Sequence, residues 1–325
     1  MRRRFIAGLV LAAGLVADLA AGSAGAQTFP SKPITVVVPF TAGGPTDTLA
    51  RILAERMGRT LGQTVVVENT TGAAGTLGVA RVVRAAPDGY TIGIGHWSTH
   101  VVNPAIYPLK FDILDDLEPL ADIATNPQLL VTRKDLPAND LKGLIEIVKK
   151  DPGKYNYATV GIGSTQHLIA ELFRQRAGLQ AQAVSFRTTG EVVTALLRKD
   201  VAYAVDLAHA VRGQVASGEL KLIAVTTGKR FPSLPNVPTM VESGMPGFEI
   251  NGWYGMVYPA GVPNDIIVKT HKTLSDVVSR DAVKKQLENI GAEASLSSPE
   301  AFGKLIAEEV TRWREVAKAA GLEAQ

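Results

Sequence analysis

The sequence predicts an α/β protein in which short parallel strands alternate with amphipathic helices and the chain divides into two domains. Its strand-like runs are β-branched and apolar on both faces, as in strands that lie buried between layers of helices. The segments between them carry apolar residues at every third or fourth position, which is typical of helices. Strands that alternate with helices form parallel sheets. The chain has 325 residues, and because single cores stop growing at ~250 to 300 residues, we expect two domains.

The predicted elements follow from this pattern in order along the chain. Strands are expected over residues 33–40, 63–69, 90–95, 127–132, 155–161, 182–186, 201–207 and 220–227. Helices are expected over residues 48–62, 164–178, 191–200, 264–280 and 299–321. Gly62 and Gly178 close two of these helices and are expected as left-handed C-caps. The proline-rich stretch of residues 230–248 is expected to be an irregular connection.

The first 26 residues have the pattern of a secretory signal peptide. A basic start at residues 2–4 precedes a mostly apolar stretch and small residues at Ala24 and Ala26, so cleavage is expected after Ala26. The stretch is interrupted by Asp18 and falls short of the ~20 apolar residues that a spanning helix needs. The start also fits the twin-arginine pattern, which leaves the export route open. By either route, we expect the mature protein to leave the cytoplasm.

The composition excludes several classes of function. The chain contains no cysteine, which excludes a lipoprotein-type anchor, disulfide bonds and thiolate chemistry. The formal net charge is only +3, and three arginines fall in the predicted leader. Since nucleic-acid binding depends on a basic surface, we expect no nucleic-acid partner.

A glycine-rich loop follows the first predicted strand, in PFTAGGPTDTLAR (residues 39–51). Gly43 and Gly44 allow close approach of a ligand, and Pro45 suits the first position of a helix. The free N–H groups of the first helical turn, together with the helix dipole, bind a carboxylate or a phosphate without any lysine. The alternative is a plain turn in which Thr46 or Asp47 caps the helix.

A second loop of the same design follows the predicted strand that ends at residue 161. In GIGSTQHLIAELF, Gly161 and Gly163 precede Ser164 and Thr165, either of which can cap the next helix or bond a ligand. Two such loops suggest two helix N-termini that face one ligand from two domains. The sequence therefore predicts a binding cleft.

Other kinds of site lack their motifs. Neither GAAGTLG nor GIGSTQ has the spacing of a dinucleotide-binding loop, and no phosphate-binding loop with a lysine occurs. Ser164, His167 and Asp206 supply the residue types of a hydrolase triad, but the GxSxG elbow is missing. His96 and His100 lack the glutamate of a helical zinc motif. We expect no cofactor, no metal and no catalysis.

Four further side chains are candidates for contact with a ligand. Asp206 and Arg187 fall at the carboxyl ends of strands, where α/β sheets bind ligands, although Asp206 is equally compatible with a loop or cap role. Trp97 and Phe40 can stack on a flat ligand or simply belong to the core. Stacking by both would favour an aromatic acid such as a phthalate isomer.

Several longer segments give the mature chain a family resemblance. They are KPITVVVPFTAGGPTDTLAR, GQTVVVENTTGAAGTLGVARVVRAAPDGYTI, GIGSTQHLIAELF, GELKLIAVTTGKRFPSLPNVPTMVESGMPGFE and WYGMVYPAGVP. In these motifs and in their order, the sequence resembles the Bug-type periplasmic solute-binding proteins of the tripartite tricarboxylate transporters. The resemblance covers essentially the whole mature chain.

The resemblance implies a type II periplasmic binding protein fold, with two α/β lobes joined by crossover strands around a ligand cleft. It assigns residues 27–124 and 226–325 to the first lobe and residues 125–225 to the second. The implied ligands are small mono- or dicarboxylates, amino acids or aromatic acids, held by backbone N–H groups, hydroxyls and ordered waters. The implied partners are the membrane subunits of the transporter, and we expect a monomer.

Carried over by position, the resemblance implies ligand-binding residues in both loops. In the first loop they are Phe40, Thr41, Ala42, Gly43, Gly44, Thr46 and Asp47. In the second they are Gly161, Gly163, Ser164, Thr165 and His167, and Asp206 falls on the family's acidic position. The segments GHWSTHVVNP and SFRTTGE depart from the family pattern beside the cleft, so the resemblance is least informative about the ligand.

The leading hypothesis is a protein that captures a carboxylate and delivers it to a membrane transporter without breaking any bond. Two alternatives remain open at this point. One is a sensor that presents its closed form to a signalling partner. The other is a secreted hydrolase that uses Ser164, His167 and Asp206.

Overall fold

The computed structural model describes residues 29–322, apart from the side chain of His209. The predicted signal peptide and its cleavage site lie outside these residues. The strands are β1 (Ile34–Val38), β2 (Val65–Asn69), β3 (Thr91–His96), β4 (Leu117–Arg133), β5 (Tyr157–Val160), β6 (Ala183–Phe186), β7 (Tyr203–Leu207), β8 (Leu220–Val225), β9 (Asn251–Pro259) and β10 (Glu293–Ala294). The α-helices are α1 (Pro45–Leu61), α2 (Thr76–Val83), α3 (Asn103–Ile106), α4 (Leu141–Lys150), α5 (Thr165–Ala177), α6 (Thr189–Arg198), α7 (Ala208–Ala216), α8 (Asn264–Val278), α9 (Asp281–Asn289) and α10 (Pro299–Ala319).

The first lobe is built around β1, which lies between β2 and β3 and runs parallel to both. β3 pairs antiparallel with β9, and β9 pairs antiparallel with β4. Because β1 and β3 run in the same direction, the loops that follow them leave the sheet at the same edge. The loop between β1 and α1 and the turn that follows β3 are therefore neighbours.

The second lobe repeats this arrangement with β5 at its centre. β5 lies between β6 and β7 and runs parallel to both, while β7 and β8 pair antiparallel with β4. The segments that follow β5 and β7 thus also leave the sheet at one edge. This edge carries the second glycine-rich loop and Asp206.

Strand β4 belongs to both lobes. Its residues 117–127 pair with β9, and its residues 128–133 pair with β7 and β8. The chain that follows β8 crosses β4 at Gln128, whose carbonyl accepts the N–H of Thr226 at 3.0 Å. The Thr226 hydroxyl in turn donates to the carbonyl of Ile250 at 2.7 Å. Since β4 continues through residue 125, the lobe boundaries expected at 124/125 and 225/226 stay a prediction.

The sheet is mixed, in contrast to the purely parallel sheets that the alternation of strands and helices predicts. The strands that pair with β4 all run antiparallel to it. The predicted strand 127–132 is the last part of a much longer strand, and β9 lies outside every predicted strand. These two strands pair with each other although they lie far apart in the sequence, and a local sequence pattern cannot indicate such a pairing.

The hydrophobic core follows the predicted apolar faces. The strand β1 is buried except for Thr35, which is half-buried, and the apolar face of α1 packs over it. The long helix α10 contacts β4, α3 and α5, and its apolar side chains join those of α5 in one cluster. Among the residues that the structure describes, no helix is long and apolar enough to cross a membrane.

Candidate ligand-binding cleft

The first loop turns sharply between β1 and α1. Gly43 has a φ of +83°, a left-handed conformation that favours glycine. Gly44 returns to an extended conformation as the N-cap of α1, and Pro45 occupies the first helical position. The N–H of Gly44 points back to the carbonyl of Thr41 at 3.4 Å, which closes the turn.

The carboxylate of Asp47 holds the first loop in this shape. It accepts the N–H of Gly43 at 2.8 Å, two hydrogen bonds from Arg51 at 2.9 and 3.0 Å, and one from Asn69 at 2.9 Å. Burial by itself would raise the pKa of Asp47, but the hydrogen bonds from Arg51, Gly43 and Asn69 outweigh it and lower the pKa to about 2. Asn69 also donates to the carbonyl of Phe40, which joins the strand end to the loop.

The second loop has the same backbone design between β5 and α5. Gly161 and Gly163 have φ values of +76° and +82°, and Ser164 is the extended N-cap of α5. The N–H of Gly163 donates to His167 Nδ1 at 3.1 Å, so a histidine takes the place that the aspartate has in the first loop. Burial lowers the pKa of His167, which keeps its ring neutral.

Each loop leaves main-chain N–H groups of its helix without an acceptor inside the helix. In α1 the first position is a proline and no side chain caps the helix, so Thr46 and Asp47 present their N–H groups. In α5 Ser164 Oγ accepts the N–H of His167 at 3.1 Å, which leaves those of Thr165 and Gln166. Two helix N-termini, each with the positive end of its dipole, therefore open toward the same space.

This space consists of two adjoining cavities of about 330 and 560 Å³. Both are bounded by Phe40, Thr41, Ser98, Thr165 and Gln166. The smaller cavity is also lined by Gly44, Pro45, Thr46, His96, Leu207 and Tyr254. The larger cavity is also lined by Pro39, Thr71, Gly72, Ala74, Gly75, Val102, Asn103, Tyr107, Val160, Gly161, Ile162, Gly163 and Ser164. A separate cavity of about 410 Å³, which α7, β8 and residues 231–234 and 288–293 border, contains no residue of either loop.

The floor of the smaller cavity comes from the end of β3. His96 is the last residue of that strand, and its ring lies against Tyr254 of β9 with the ring centres 5.0 Å apart. Its Nδ1 accepts the backbone N–H of Ser98 at 3.2 Å, which fixes the orientation of the ring. His100 lies deeper in the π-helical turn Ser98–Val102, and its burial lowers its pKa to about 4.

A third loop, residues 72–75, lines the larger cavity and is not among the predicted site residues. Ala73 and Ala74 have φ values of +46° and +54°, between two glycines that are also left-handed. Such a conformation is strained for alanine, and Asn103 Nδ2 holds it by donating to the carbonyl of Ala74 at 2.9 Å. The glycines of GAAG are visible in the sequence, but they suggest only a nucleotide-binding loop, whose spacing they do not match.

The structure brings most of the predicted site residues to the cleft. Eight of them line one or both cavities, namely Phe40, Thr41, Gly44, Thr46, Gly161, Gly163, Ser164 and Thr165. Ala42 and Gly43 form the exposed outer part of the first loop and line neither cavity. Asp47 and His167 lie behind the loops and hold the glycine N–H groups. The residues that the sequence did not single out include Ser98, Gln166, Leu207 and Tyr254.

Trp97 differs most from expectation, because it does not face the cleft. Its side chain is fully buried, its Nε1 donates to Glu309 at 3.0 Å, and its ring packs edge-on against Trp313 of α10. These contacts fix the first lobe to the C-terminal helix. In this conformation Trp97 cannot stack on a ligand, and Phe40 is left as the aromatic residue of the predicted pair that lines the cavities.

Asp206 also lies behind the wall of the cleft. It is completely buried, and its Oδ1 accepts the N–H of Leu207 at 2.8 Å and Nε2 of Gln166 at 3.3 Å. Burial raises the pKa of Asp206 to about 6. Since Gln166 and Leu207 both line the smaller cavity, Asp206 positions the wall rather than forming it.

The arrangement does not form a hydrolase triad. Ser164 Oγ caps α5, His167 Nδ1 accepts the N–H of Gly163, and Asp206 bonds Gln166 and Leu207. Each of the three side chains is therefore engaged with a different group. Over residues 29–322 no group of three or more His, Cys, Asp or Glu side chains has an arrangement that could hold a metal ion.

Comparison with known proteins places this chain in a family. The model of the tripartite tricarboxylate transporter family receptor matches residues 49–322. Protein BugT of Bordetella pertussis is 33% identical over 314 residues, which cover 96% of this chain and 95% of that protein. The solved structure of R. palustris Rpa4515 with adipate has a TM-score of 0.76 at 34% identity and covers 91% of this chain and 100% of that one. MatC (Rpa3494) from Rhodopseudomonas palustris with bound malate has a TM-score of 0.72 at 35% identity, over 89% of this chain and 99% of that one.

These matches confirm the predicted family and the fold class of two α/β lobes around a cleft. They extend over nearly the whole chain, so they include both lobes. The chain belongs to the tripartite tricarboxylate transporter family receptors, which are periplasmic solute-binding proteins and not enzymes.

Proposed function

We propose that this protein captures a small aliphatic dicarboxylate between its two glycine-rich loops and delivers it to the membrane subunits of a tripartite tricarboxylate transporter. The observation that carries the proposal is the pair of helix N-termini at one cavity. Thr46 and Asp47 on one side, and Thr165 and Gln166 on the other, present main-chain N–H groups. Such groups bind a carboxylate by charge-assisted hydrogen bonds.

The side chains around these N–H groups suit the same ligand. Hydroxyl groups of Thr41, Ser98 and Thr165 line the cavities and can donate to further carboxylate oxygens. Two relatives at 34% and 35% identity have adipate and malate in their solved structures. An aromatic acid such as a phthalate isomer is the second choice, because Trp97 is buried and only Phe40 of the predicted stacking pair lines the cavities.

The remaining details of the prediction belong to the same proposal. Export through a signal peptide cleaved after Ala26 would place the mature chain in the periplasm, where its family acts. A monomer suits a receptor that closes its lobes around one ligand. Mass spectrometry of the mature protein and light scattering in solution would measure these two properties.

The proposal is tested by titrating the purified protein with adipate, malate, citrate, phthalate and hexanoate. Binding to the folded state should raise its stability by about 2.7 kcal/mol at a ligand concentration a hundredfold above the dissociation constant. We expect adipate or malate to give the largest thermal shift, with heat detected by calorimetry. Absence of both signals with every carboxylate would overturn the proposal.

A variant of the first loop provides the site control for this titration. Gly44 has a negative φ, and a Cβ there would meet the carbonyl of Thr41 at an ordinary 3.4 Å, so Gly44→Val should fold while its branches fill the cavity. Gly213→Val is the matched control, because Gly213 is exposed on α7 and a Cβ there meets nothing within 4 Å. Loss of binding in Gly44→Val alone would support the cleft as the binding site.

A further inference from the structure

The charge balance of the cleft is a separate question from how it holds a carboxylate. In the described part of the chain, the residues that line the two cavities include no lysine and no arginine. Arg187, just after β6, is exposed and lines neither cavity. His96 lines the smaller cavity and is a side chain that can become positively charged near neutral pH.

The two loops balance about one negative charge. A helix N-terminus acts as roughly half a positive charge, so two of them together offset about one carboxylate. A monocarboxylate is then neutralised by the main chain alone. A dicarboxylate dianion brings a second negative charge into the same cavity, whose floor is His96, only 9% exposed.

The contacts of His96 show which hydrogen bonds would change if it took up a proton. Because Nδ1 accepts the backbone N–H of Ser98, we assign the proton of the neutral ring to Nε2, which lies 3.5 Å from the side-chain amide of Asn126. A second proton would bind at Nδ1, so the backbone N–H of Ser98 would lose its acceptor there, while Ser98 Oγ, 3.1 Å from Nδ1, could accept a hydrogen bond from the protonated ring. The charged ring would then remain at the cavity floor, against Tyr254.

We infer that His96 supplies the second positive charge of the site: it binds a proton when a dicarboxylate dianion enters, so that the protein selects dianions over monoanions and releases them as the pH rises. This inference rests on the proposed capture of a carboxylate and names the charge class of the ligand. It also makes ligand affinity depend on periplasmic pH, with tighter binding at lower pH.

Other titratable groups face the same region and must be separated from His96. Tyr254 on β9 has a pKa raised to about 12 by burial, and the buried His100 has a pKa of about 4. Asp47 in the first loop has a pKa of about 2. Asp206 behind Gln166 has a pKa of about 6, and its ionisation would also weaken dianion binding as pH rises. The test therefore needs a variant of Asp206 beside that of His96.

The test compares adipate with hexanoate, a monocarboxylate of the same chain length, by calorimetry at about pH 6.5 and about pH 8.5. His96→Asn removes the charge but keeps an amide oxygen near the position of Nδ1 for the N–H of Ser98. Asp206→Asn removes the other group that titrates in this range. His271→Asn is the control, since His271 lies on α8 and bonds the carbonyl of Ser297 outside the cleft.

We expect the adipate affinity of the wild type to fall about tenfold between the two pH values, and that of hexanoate to stay nearly constant. Binding heats in two buffers of different ionisation enthalpy should show that adipate binding takes up a fraction of a proton. His96→Asn should abolish both the pH dependence and the proton uptake. Asp206→Asn and His271→Asn should retain them.

Three results would overturn the inference while leaving the proposed function intact. The first is adipate binding that is independent of pH in the wild type. The second is a pH dependence that His96→Asn retains or that Asp206→Asn abolishes. The third is a His96→Asn variant that weakens adipate and hexanoate equally at both pH values, because that pattern indicates a purely structural role. Failure of the wild type to bind any carboxylate would instead contradict the proposed function.

Discussion

The two loops of the cleft reach the same backbone shape with different side chains. In both, a left-handed glycine precedes an extended N-cap residue, and that glycine donates its N–H to a side chain four residues later. In the first lobe the acceptor is the carboxylate of Asp47, and in the second it is the imidazole of His167. The comparison shows that the geometry of the glycine turn is shared, whereas the charge that supports it is not.

The acids of the two lobes have pKa values that are shifted in opposite directions. Asp47 and Asp206 are both buried, which favours the neutral acid. Asp47 has Arg51 and Asn69 as donors, so its pKa falls to about 2, whereas Asp206 lacks a cationic partner among its bonds and its pKa rises to about 6. One acid stabilises its lobe at neutral pH, and the other destabilises it.

The largest expected effect is that of Asp206→Asn. The folded-state pKa of about 6 exceeds the ordinary value of 3.8, so the folded protein holds this proton more tightly and loses stability as pH rises from about 4 to about 6. At pH 7 and above the cost is about 3 kcal/mol. The uncharged amide would remove this cost, so the variant should be more stable than the wild type at about pH 7.5 and equal at about pH 4. Urea unfolding without ligand measures both.

A variant that is less stable than the wild type at both pH values would contradict this account of Asp206. Such a result would mean that the carboxylate is stabilised by its bonds to Leu207 and Gln166 more than burial penalises it. The corresponding substitution of Asp47 is expected to change the stability in the opposite direction.

Asp47→Asn is expected to cost about 2 kcal/mol at neutral pH. The pKa of Asp47 is lowered from 3.8 to about 2, so its stabilisation is present above about pH 4 and is lost as pH falls toward about 2. Arg51→Gln is the matched variant, because it removes the ion pair and leaves the acceptor for Gly43 in place. Since the Arg51 side chain is 54% exposed, that variant should cost less than about 1 kcal/mol. If the two variants lost equal amounts of stability, the contribution of Asp47 would come from its ion pair with Arg51 alone.

How much of this cleft the sequence predicts depends on how local the determining contacts are. The two loops were predicted because a glycine turn, an N-cap and the start of a helix are encoded within about eight neighbouring residues. Gly43 and Gly163 do adopt the left-handed conformation that the pattern requires. The choice of Asp47 and His167 as the supporting side chains could not be predicted, because Asp47 fits a capping role equally well and His167 fits direct contact with the ligand.

The non-local features could not be predicted in this way. The sequence makes Trp97 a candidate for stacking on a ligand because it follows a predicted strand. In the structure, Glu309 and Trp313 of α10, more than 200 positions away, hold it in the core. Strand β9 likewise gains its place only by pairing with β3 and β4. Tyr254, which lines the cleft, comes with that strand. Each of these depends on contacts that no single stretch of sequence contains.

The smallest expected effect comes from exchanging the caps of the two helices. Gly44 and Ser164 have nearly the same backbone angles, so Gly44→Ser should give α1 the cap that α5 already has. The new hydroxyl would accept the N–H of Asp47, which adds a few tenths of a kcal/mol of stability but removes one donor from the ligand. We expect adipate affinity to fall about tenfold. Ser164→Gly should have the reverse effect, with slightly lower stability and no loss of affinity. Calorimetry measures the affinity of each variant, and urea unfolding measures its stability. If in each variant affinity and stability rose together or fell together, the main-chain N–H groups of the two loops would not be the groups that bind the ligand.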